Sequence, residues 1–277
     1  MYNNIISVNN LFEAWNEFVK GKKTKRDVAI FSLKLSDNIF KLHEELKNKI
    51  YKHGPYKAFS INDPKPRNIH KASVRDRLLH HAIYRVLYPY FDNKFIFDSY
   101  SCRNKKGTHR SIRRFKEFSK KVSGSNSRQC WILKCDIRKF FASIDQEILI
   151  EILKKYISDI DTIWLIGKVV GSFYSMSVGK GLPLGNLTSQ LLVNIYMNEF
   201  DQFIKQKLKA RYYIRYADDF VIMDHDRNFL TRVLPQISDF LENNLKLHLH
   251  PDKVFIKTIS SGVDYLGWVH FPYHKIL

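Results

Sequence analysis

Two short apolar runs, YYIRYA (212–217) and FVIM (220–223), stand with only Asp218 and Asp219 between them. A two-residue join suits an antiparallel hairpin and is far too short for a parallel crossover, so the aspartates are set at a turn. Upstream, WILKCDI (131–137) reads as a third apolar strand ending at Asp136. Helical patterns over 144–156, 160–176 and 188–209 lie between, with the Gly/Pro loop GKGLPLGN at 179–186. A helix over about 228–246 and strands near 253–257 and 263–270 complete the order β–α–α–β–β–α–β. That is a split βαβ of the ferredoxin-like kind with an extra helix. In this layout the first and central strands are neighbours, so all three aspartates come to one edge of the sheet.

The first half has a different texture. Val8, Leu11, Phe12, Trp15, Phe18 and Val19 recur at helical spacing. A second helix is expected from Thr24, capped with Asp27, through Ile50. Pro55, Pro64 and Pro66 break the pattern, so 54–72 should hold strands and turns. Ser73 with Asp76 predicts a capped helix that stops before Pro89, and 107–121 reads as a basic helix ahead of the flexible SGSNS (123–127).

Charge divides the chain the same way. Residues 1–130 carry 28 Lys and Arg against 11 Asp and Glu, and residues 131–277 carry 18 against 16, within a net charge of +19. A basic half beside a nearly neutral half predicts a polyanion-binding surface joined to a site with another task. The hydrophobic share of 44% suits a folded protein rather than a disordered one. No apolar run approaches the length of a membrane span, and the N-terminus shows no secretory signal. Three cysteines without a CxxC argue against a disulfide framework or zinc ribbon. The expected setting is cytoplasmic, with no membrane partner.

Three convergent carboxylates beside a basic surface suit hard divalent cations. Two such ions about 3.5–4 Å apart clamp the attacking and leaving oxygens of phosphoryl transfer. The expected cofactor is two Mg²⁺, with Mn²⁺ as a substitute. His80 and His81 are adjacent on a helix and lack the i, i+4 spacing of a helical metal site, and no metal role is assigned to them or to His109.

The motifs then carry a resemblance. YADDF (216–220) resembles the catalytic box of reverse transcriptases, and CDIRKFFASID (135–145) the box of their first metal ligand. GLPLGNLTSQLLVNIYMNEFD (181–201) resembles their third block, and YLGWVHF (265–271) their primer-grip hairpin. RNIHKASVRDRLLHHAIYRVL (67–87) with FDSYSCRNKKGTHRSI (97–112) resembles the fingers blocks of bacterial group II intron-like enzymes. The ordered set covers roughly 60–271. LPLGNLTSQ (182–190) is nearest to the reverse transcriptases of diversity-generating retroelements, which have an aliphatic residue at Leu184 and Ser-Gln at Ser189-Gln190 where most relatives have Gln and Ser-Pro.

The resemblance implies an α+β right-hand polymerase. Fingers would occupy mostly 1–129. The palm would occupy 130–277, with an interleaved fingers segment at about 160–185 and a primer-grip hairpin at about 263–277. Little or no thumb is expected before Leu277. Asp136, Asp218 and Asp219 would be the catalytic metal ligands, with the Ile137 carbonyl as a further oxygen. Phe141 would be the steric gate against a ribose 2′-OH. Arg67 would contact the incoming triphosphate, with Lys65 and Arg75 as rivals. Leu184 and Gln190 would line the nucleotide and template pocket, Lys253 would protonate the leaving pyrophosphate, and Leu266 and Gly267 would form the primer grip. Arg103, Lys105, Lys106, Arg110, Arg113 and Arg114 would hold nucleic acid, either the template backbone or an accessory protein's RNA.

The expected partners are template RNA, a primer, deoxynucleoside triphosphates and a small basic accessory protein. The expected function is copying a template-repeat RNA into cDNA with adenine-biased errors. A defence-associated or group II intron-like reverse transcriptase is the alternative within the class, and a non-catalytic RNA-binding module the alternative outside it.

Overall fold

A computed structural model describes residues 1–62, 66–175 and 177–277. Lys65, one of the candidates for the triphosphate contact, and Pro64 lie outside the described residues. The chain opens with helices α1 (Tyr2–Ile6), α2 (Val8–Phe18), α3 (Arg26–Ser32) and α4 (Leu35–Lys47). The hairpin of β1 (Lys57–Asn62) and β2 (Pro66–Lys71) leads to α5 (Val74–Asp92) and the basic α6 (Thr108–Val122). Next come β3 (Trp131–Asp136), α7 (Phe140–Ser143), α8 (Gln146–Tyr156), α9 (Ile160–Val170) and α10 (Leu187–Gln202), which passes into a π-helical turn at Phe203–Lys207. β4 (Tyr212–Tyr216), β5 (Asp219–Asp224), α11 (Arg227–Leu245) and β6 (Phe255–Thr258) follow. The last strands are β7 (Val263–Tyr265), β8 (Trp268–His270) and β9 (Lys275–Ile276). The class is α+β, as expected.

The chain forms two compact, interleaved units, Met1–Lys94 with Asp145–Val193, and Phe95–Ile144 with Asn194–Leu277. In the first unit the expected helix from Thr24 to Ile50 is two helices, broken at Leu33-Lys34. Thr24 does not cap it. The cap position is Lys25, whose side chain has no acceptor to offer; the Asp27 carboxylate accepts from the Val28 backbone N–H at 3.1 Å and pairs with Lys71 and Arg77 at 2.7 Å each. Ser73 does cap α5, accepting from the Asp76 backbone N–H at 3.2 Å. The Asp76 side chain is fully buried and accepts from Ser73, Tyr51 and the Gly54 backbone N–H. α5 runs through Pro89 instead of stopping before it. A mid-helix proline costs about 3 kcal/mol, and burying Tyr88 and Phe91 around it returns roughly 1.5–3 kcal/mol for an aromatic of that size. α9 ends at Val170, short of the expected 176, where the Ser172 hydroxyl donates to the Val169 carbonyl at 2.6 Å.

The second unit holds a four-stranded antiparallel sheet in the order β4-β5-β3-β6. This is the ferredoxin-like order expected from the pattern. On one face Ile132, Ile214, Val221 and Met223 pack with Phe115, Phe118 and Val122 of α6 and with Val263 and Tyr265 of β7. Residues two apart share a face of a strand. Lys134 and Asp136 therefore continue the face of Ile132 toward the end of β3. On the other face Phe220 and Tyr213 meet Phe200 of α10 edge-on, and Phe203 stacks on Phe240 of α11. Among the described residues no helix is long and apolar enough to cross a membrane.

Candidate active site

The register of the second unit's sheet sets Asp136 of β3 directly opposite Asp219 of β5. Tyr216 pairs with Asp219 across the hairpin, so the two-residue turn is Ala217 and Asp218 rather than the expected Asp218 and Asp219, and Asp219 opens β5. Ala217 takes φ +56°, a left-handed conformation that costs a side-chain-bearing residue about 1–2 kcal/mol. The turn is tied down beside β3, because the Ile137 backbone N–H donates to the Asp218 carbonyl at 3.1 Å. The chain after α11 grips the same strand end: His250 N–H donates to the Asp136 carbonyl at 2.7 Å and Arg138 N–H to the His248 carbonyl at 2.9 Å. Asp136, Ile137, Asp218 and Asp219 thus meet on a backbone frame, with each strand end held by hydrogen bonds.

Two lysines answer the carboxylates. Lys253 Nζ lies 3.0 Å from Asp136 Oδ2. Lys134 Nζ lies 3.2 Å from Asp219 Oδ2, and its side chain is only 8% exposed. Burial pushes the Asp219 carboxyl up to about 7, with the charges of Asp136 and Asp218 adding to the rise against the pull of Lys134. Burial also raises Asp218, again with Asp136 adding to it. Asp219 Oδ1 is buried and has no hydrogen-bond partner. An orphaned carboxylate oxygen among like charges is what a hard cation would satisfy. The donor set, all oxygen, fits Mg²⁺ or Mn²⁺. Among the described residues no three His, Cys, Asp or Glu side chains already converge as a metal-holding group. Asp136 turns toward Lys253 and Asp219 toward Lys134.

Lys134 is the member that sequence reasoning missed. Its signal was present as a lone lysine in the apolar run WILKCD, two residues before Asp136 and therefore on the same face. Phe141 follows in α7, where Lys139 at φ +47° turns the chain out of the strand. The two phenylalanines separate: Phe140 is buried at 3% exposure, and Phe141 is half-buried with its ring edge-on to Phe140 at 5.6 Å. At the other end of this unit, Leu266 and Gly267 form the β7–β8 turn with φ +54° and +79°.

The first unit carries another part of the expected set. Arg67 sits on exposed β2, paired with Ile61. Arg75 is engaged by Glu45 at 2.7 Å and by the Lys52 carbonyl. The GLPLGN loop is fastened along β2. His70 N–H donates to the Leu184 carbonyl at 3.1 Å, and the Asn186 side-chain amide donates to the His70 carbonyl at 2.8 Å. Gly185 at φ +96° permits this approach, since a Cβ there would lie 2.9 Å from Ile69 Cγ2. Gln190, in the first turn of α10, lines a cavity of about 420 Å³ with Lys71, Arg77 and His81. His80 is buried, 3.1 Å from His53 Nε2.

The basic segment belongs to the second unit. Arg103 donates to the carbonyls of Ile96 and Ser99, and Arg114 pairs with Asp98 at 2.8 Å and Glu117 at 3.0 Å. Arg110 donates to the Lys105 carbonyl, and Lys105, Arg110 and Arg113 are exposed. Lys106 lies over the Phe97 ring.

Comparison with known proteins agrees with this geometry. The family described as reverse transcriptase (RNA-dependent DNA polymerase) matches residues 50–270. The chain is 27% identical over 267 residues to protein YkfC of Escherichia coli (strain K12), covering 82% of this chain and 69% of that one. It is 22% identical over 302 residues to the group II intron-encoded protein LtrA of Lactococcus lactis subsp. cremoris, covering 84% of this chain and 49% of that one. A solved structure of apo telomerase from Candida tropicalis, truncated from its C-terminal domain, superposes with a TM-score of 0.61 at 12% identity, covering 82% of this chain and 55% of that one. The chain therefore spans about half the length of LtrA and of the telomerase.

Proposed function

The chain belongs to the reverse transcriptase family, in its group II intron-like branch, and from that premise we propose that it extends a primer on an RNA template from deoxynucleoside triphosphates. The observation that carries this reading is the pairing of Asp136 with Asp219, with Asp218 in the adjoining turn and Asp219 Oδ1 buried without a partner. Asp136, Asp218, Asp219 and the Ile137 carbonyl would hold two divalent ions, Mg²⁺ or Mn²⁺. Such ions, when bound, supply charge neutralisation to the attacking and leaving oxygens of phosphoryl transfer. The chain's own residues do the rest. The hydrogen-bonded turn fixes in advance the backbone that carries the carboxylates. Lys253, against Asp136, is the proposed proton donor to the leaving pyrophosphate. Arg67 offers a planar donor fork to phosphate oxygens. We read the β1–β2 hairpin with its helices as fingers, the four-stranded sheet as palm, and the Leu266-Gly267 turn as primer grip. Primer extension on a defined RNA with each divalent ion tests the proposal. No product under any ion would leave the non-catalytic RNA-binding module as the better reading.

Phe141 is the proposed discriminator against ribonucleotides. Its half-buried ring would fill the volume of a 2′-OH, and α7 is anchored by Phe140 rather than by Phe141. Phe141→Ala should therefore let ribonucleoside triphosphates compete at least ~10-fold better while deoxynucleotide incorporation persists. Single-nucleotide incorporation with both sugars reads this, and an unchanged sugar preference would make Phe141 a packing residue.

Within the family we propose the diversity-generating type, on LPLGNLTSQ (182–190), with a small basic accessory protein as partner and errors concentrated at template adenines. The likeness to LtrA favours, as the second reading, an enzyme of group II intron character. Leu184→Gln separates them. The loop is held to β2 through backbone and Asn186 contacts, so the side chain at 184 can change with little cost to the fold. A new directional hydrogen bond is worth about 0.5–1.5 kcal/mol, and 1.4 kcal/mol is about tenfold in a rate ratio. Misincorporation at adenine should fall several-fold in the mutant and less at other bases. Equal error spectra in both proteins would count against the diversity-generating reading.

A further inference from the structure

Phe97 is an exposed ring that the active site does not explain. It is 67% exposed in the loop between α5 and α6, and a phenylalanine left in water gains nothing from the hydrophobic effect. It is nevertheless held in place. Lys106 Nζ lies 3.5 Å from the ring centroid and donates to the Phe97 carbonyl at 2.7 Å. The Arg114 guanidinium lies 5.4 Å from the same ring and is itself fixed by Asp98 and Glu117. Phe97 and Tyr100 line a recess of about 360 Å³ together with Lys106, Arg110, Arg113 and Arg114, against one acid, Glu117.

We propose that Phe97 is a stacking platform for a base of single-stranded nucleic acid, with Lys106, Arg110 and Arg113 receiving the phosphates on either side. The inference rests on the polymerase reading only in that it makes the occupant the single-stranded part of the RNA template. An ammonium over an aromatic ring polarises it, and the exposed area of Phe97 leaves room for a flat partner to stack. Aromatic rings bedded in cations are the shared chemistry of single-strand binding, in which stacking tolerates any base and the backbone supplies salt dependence. An acidic peptide would use the cations but leave the ring idle. A duplex would present no free base face. Charge and ring together select an unpaired strand.

The test is equilibrium binding of a labelled 15-nucleotide RNA and of the same strand with abasic sites, without any synthesis. Phe97→Ala should weaken binding of the ordinary strand about tenfold, the scale of losing one stacked base, and should leave binding of the abasic strand unchanged. Phe97→Trp should restore the ordinary strand. Arg110→Ala with Arg113→Ala should weaken both strands and lower the slope of log K against log salt by about 0.7 for each phosphate no longer neutralised. Unchanged affinity of Phe97→Ala for the ordinary strand overturns the proposal, as does an equal loss on the abasic strand. Binding of a protein partner that Phe97→Ala abolishes while RNA affinity stays constant also overturns it, in favour of a protein-docking surface. Failure here leaves primer extension by the wild type intact, whereas a wild type that binds through Phe97 yet never extends a primer would remove the polymerase reading alone.

Discussion

Asp218→Asn is expected to lower RNA-templated extension by at least ~10³-fold while leaving the fold and the affinity for RNA intact. The three carboxylates differ in what holds them. Asp136 has Lys253 and Asp219 has Lys134 as ion-pair partners, so neutralising either one strands a lysine, and in Lys134 a buried one. Asp218 sits in the turn, where burial raises its carboxyl and Asp136 adds to the rise. An isosteric amide there removes a charge that burial and the neighbouring Asp136 disfavour, so thermal stability should not fall. The cost appears only in the reaction. Losing one anionic ligand removes several kcal/mol of transition-state stabilisation, and at 1.36 kcal/mol per tenfold a thousandfold loss corresponds to about 4 kcal/mol. Single-turnover extension, RNA binding and a thermal melt on the same preparation separate these effects. A mutant extending within tenfold of the wild type would place the chemistry elsewhere. A mutant that lost RNA affinity in step with extension would make Asp218 a binding residue.

How much of this site could be read in advance depended on the range of the interactions. The hairpin bearing Asp218 and Asp219 is a local feature, apolar strands around a two-residue join, and the sheet order follows from the succession of elements. Asp136, Asp218 and Asp219 were therefore legible as neighbours. Lys134 was less so, because a lysine in a strand reads as solvated until its face is known to be closed by α6. The errors in the helices have the same origin. Thr24 and Asp27 match a capping box locally, yet Asp27 pairs with Lys71 and Arg77, which are far away in the sequence. Pro89 is a local stop signal that burial of Tyr88 and Phe91 overrides. In each case a tertiary partner outweighed a local preference of one to a few kcal/mol. The separation of Phe140 from Phe141 was equally unreadable, since adjacent rings in FF carry no information about which one the core takes.

The second large effect concerns residues for which the motifs gave no role. Asp201, near the end of α10, accepts from Arg215 Nε and Nη2 at 2.7 Å each and from the Tyr213 hydroxyl at 2.7 Å. Both members of the pair are fully buried. Arg215 also donates to Ser99 Oγ at 3.2 Å and to the Ala217 carbonyl at 3.2 Å, so the guanidinium braces the strained turn that presents Asp218. Asp201→Ala alone leaves a buried guanidinium without its counter-ion, and breaking such a pair costs about 3–5 kcal/mol. At roughly 2–4 °C per kcal/mol for chains of this size, the thermal midpoint should fall by about 6–20 °C, a large share of a typical stability of about 5–15 kcal/mol. Asp201→Leu with Arg215→Met replaces the pair by apolar volume and should recover part of that loss, since removing both charges abolishes the penalty that removing one creates, while the Tyr213 hydroxyl loses its acceptor. Activity should not recover with it. The double mutant loses the Arg215 donor to the Ala217 carbonyl, the turn loses that brace, and extension should stay at least ~10-fold below wild type in a protein that melts above the Asp201→Ala single mutant. Single mutants melting within about 1 °C of wild type would contradict the cost of breaking a buried pair, and a double mutant with both stability and full activity would reduce Arg215 to a packing residue with no part in positioning the aspartates.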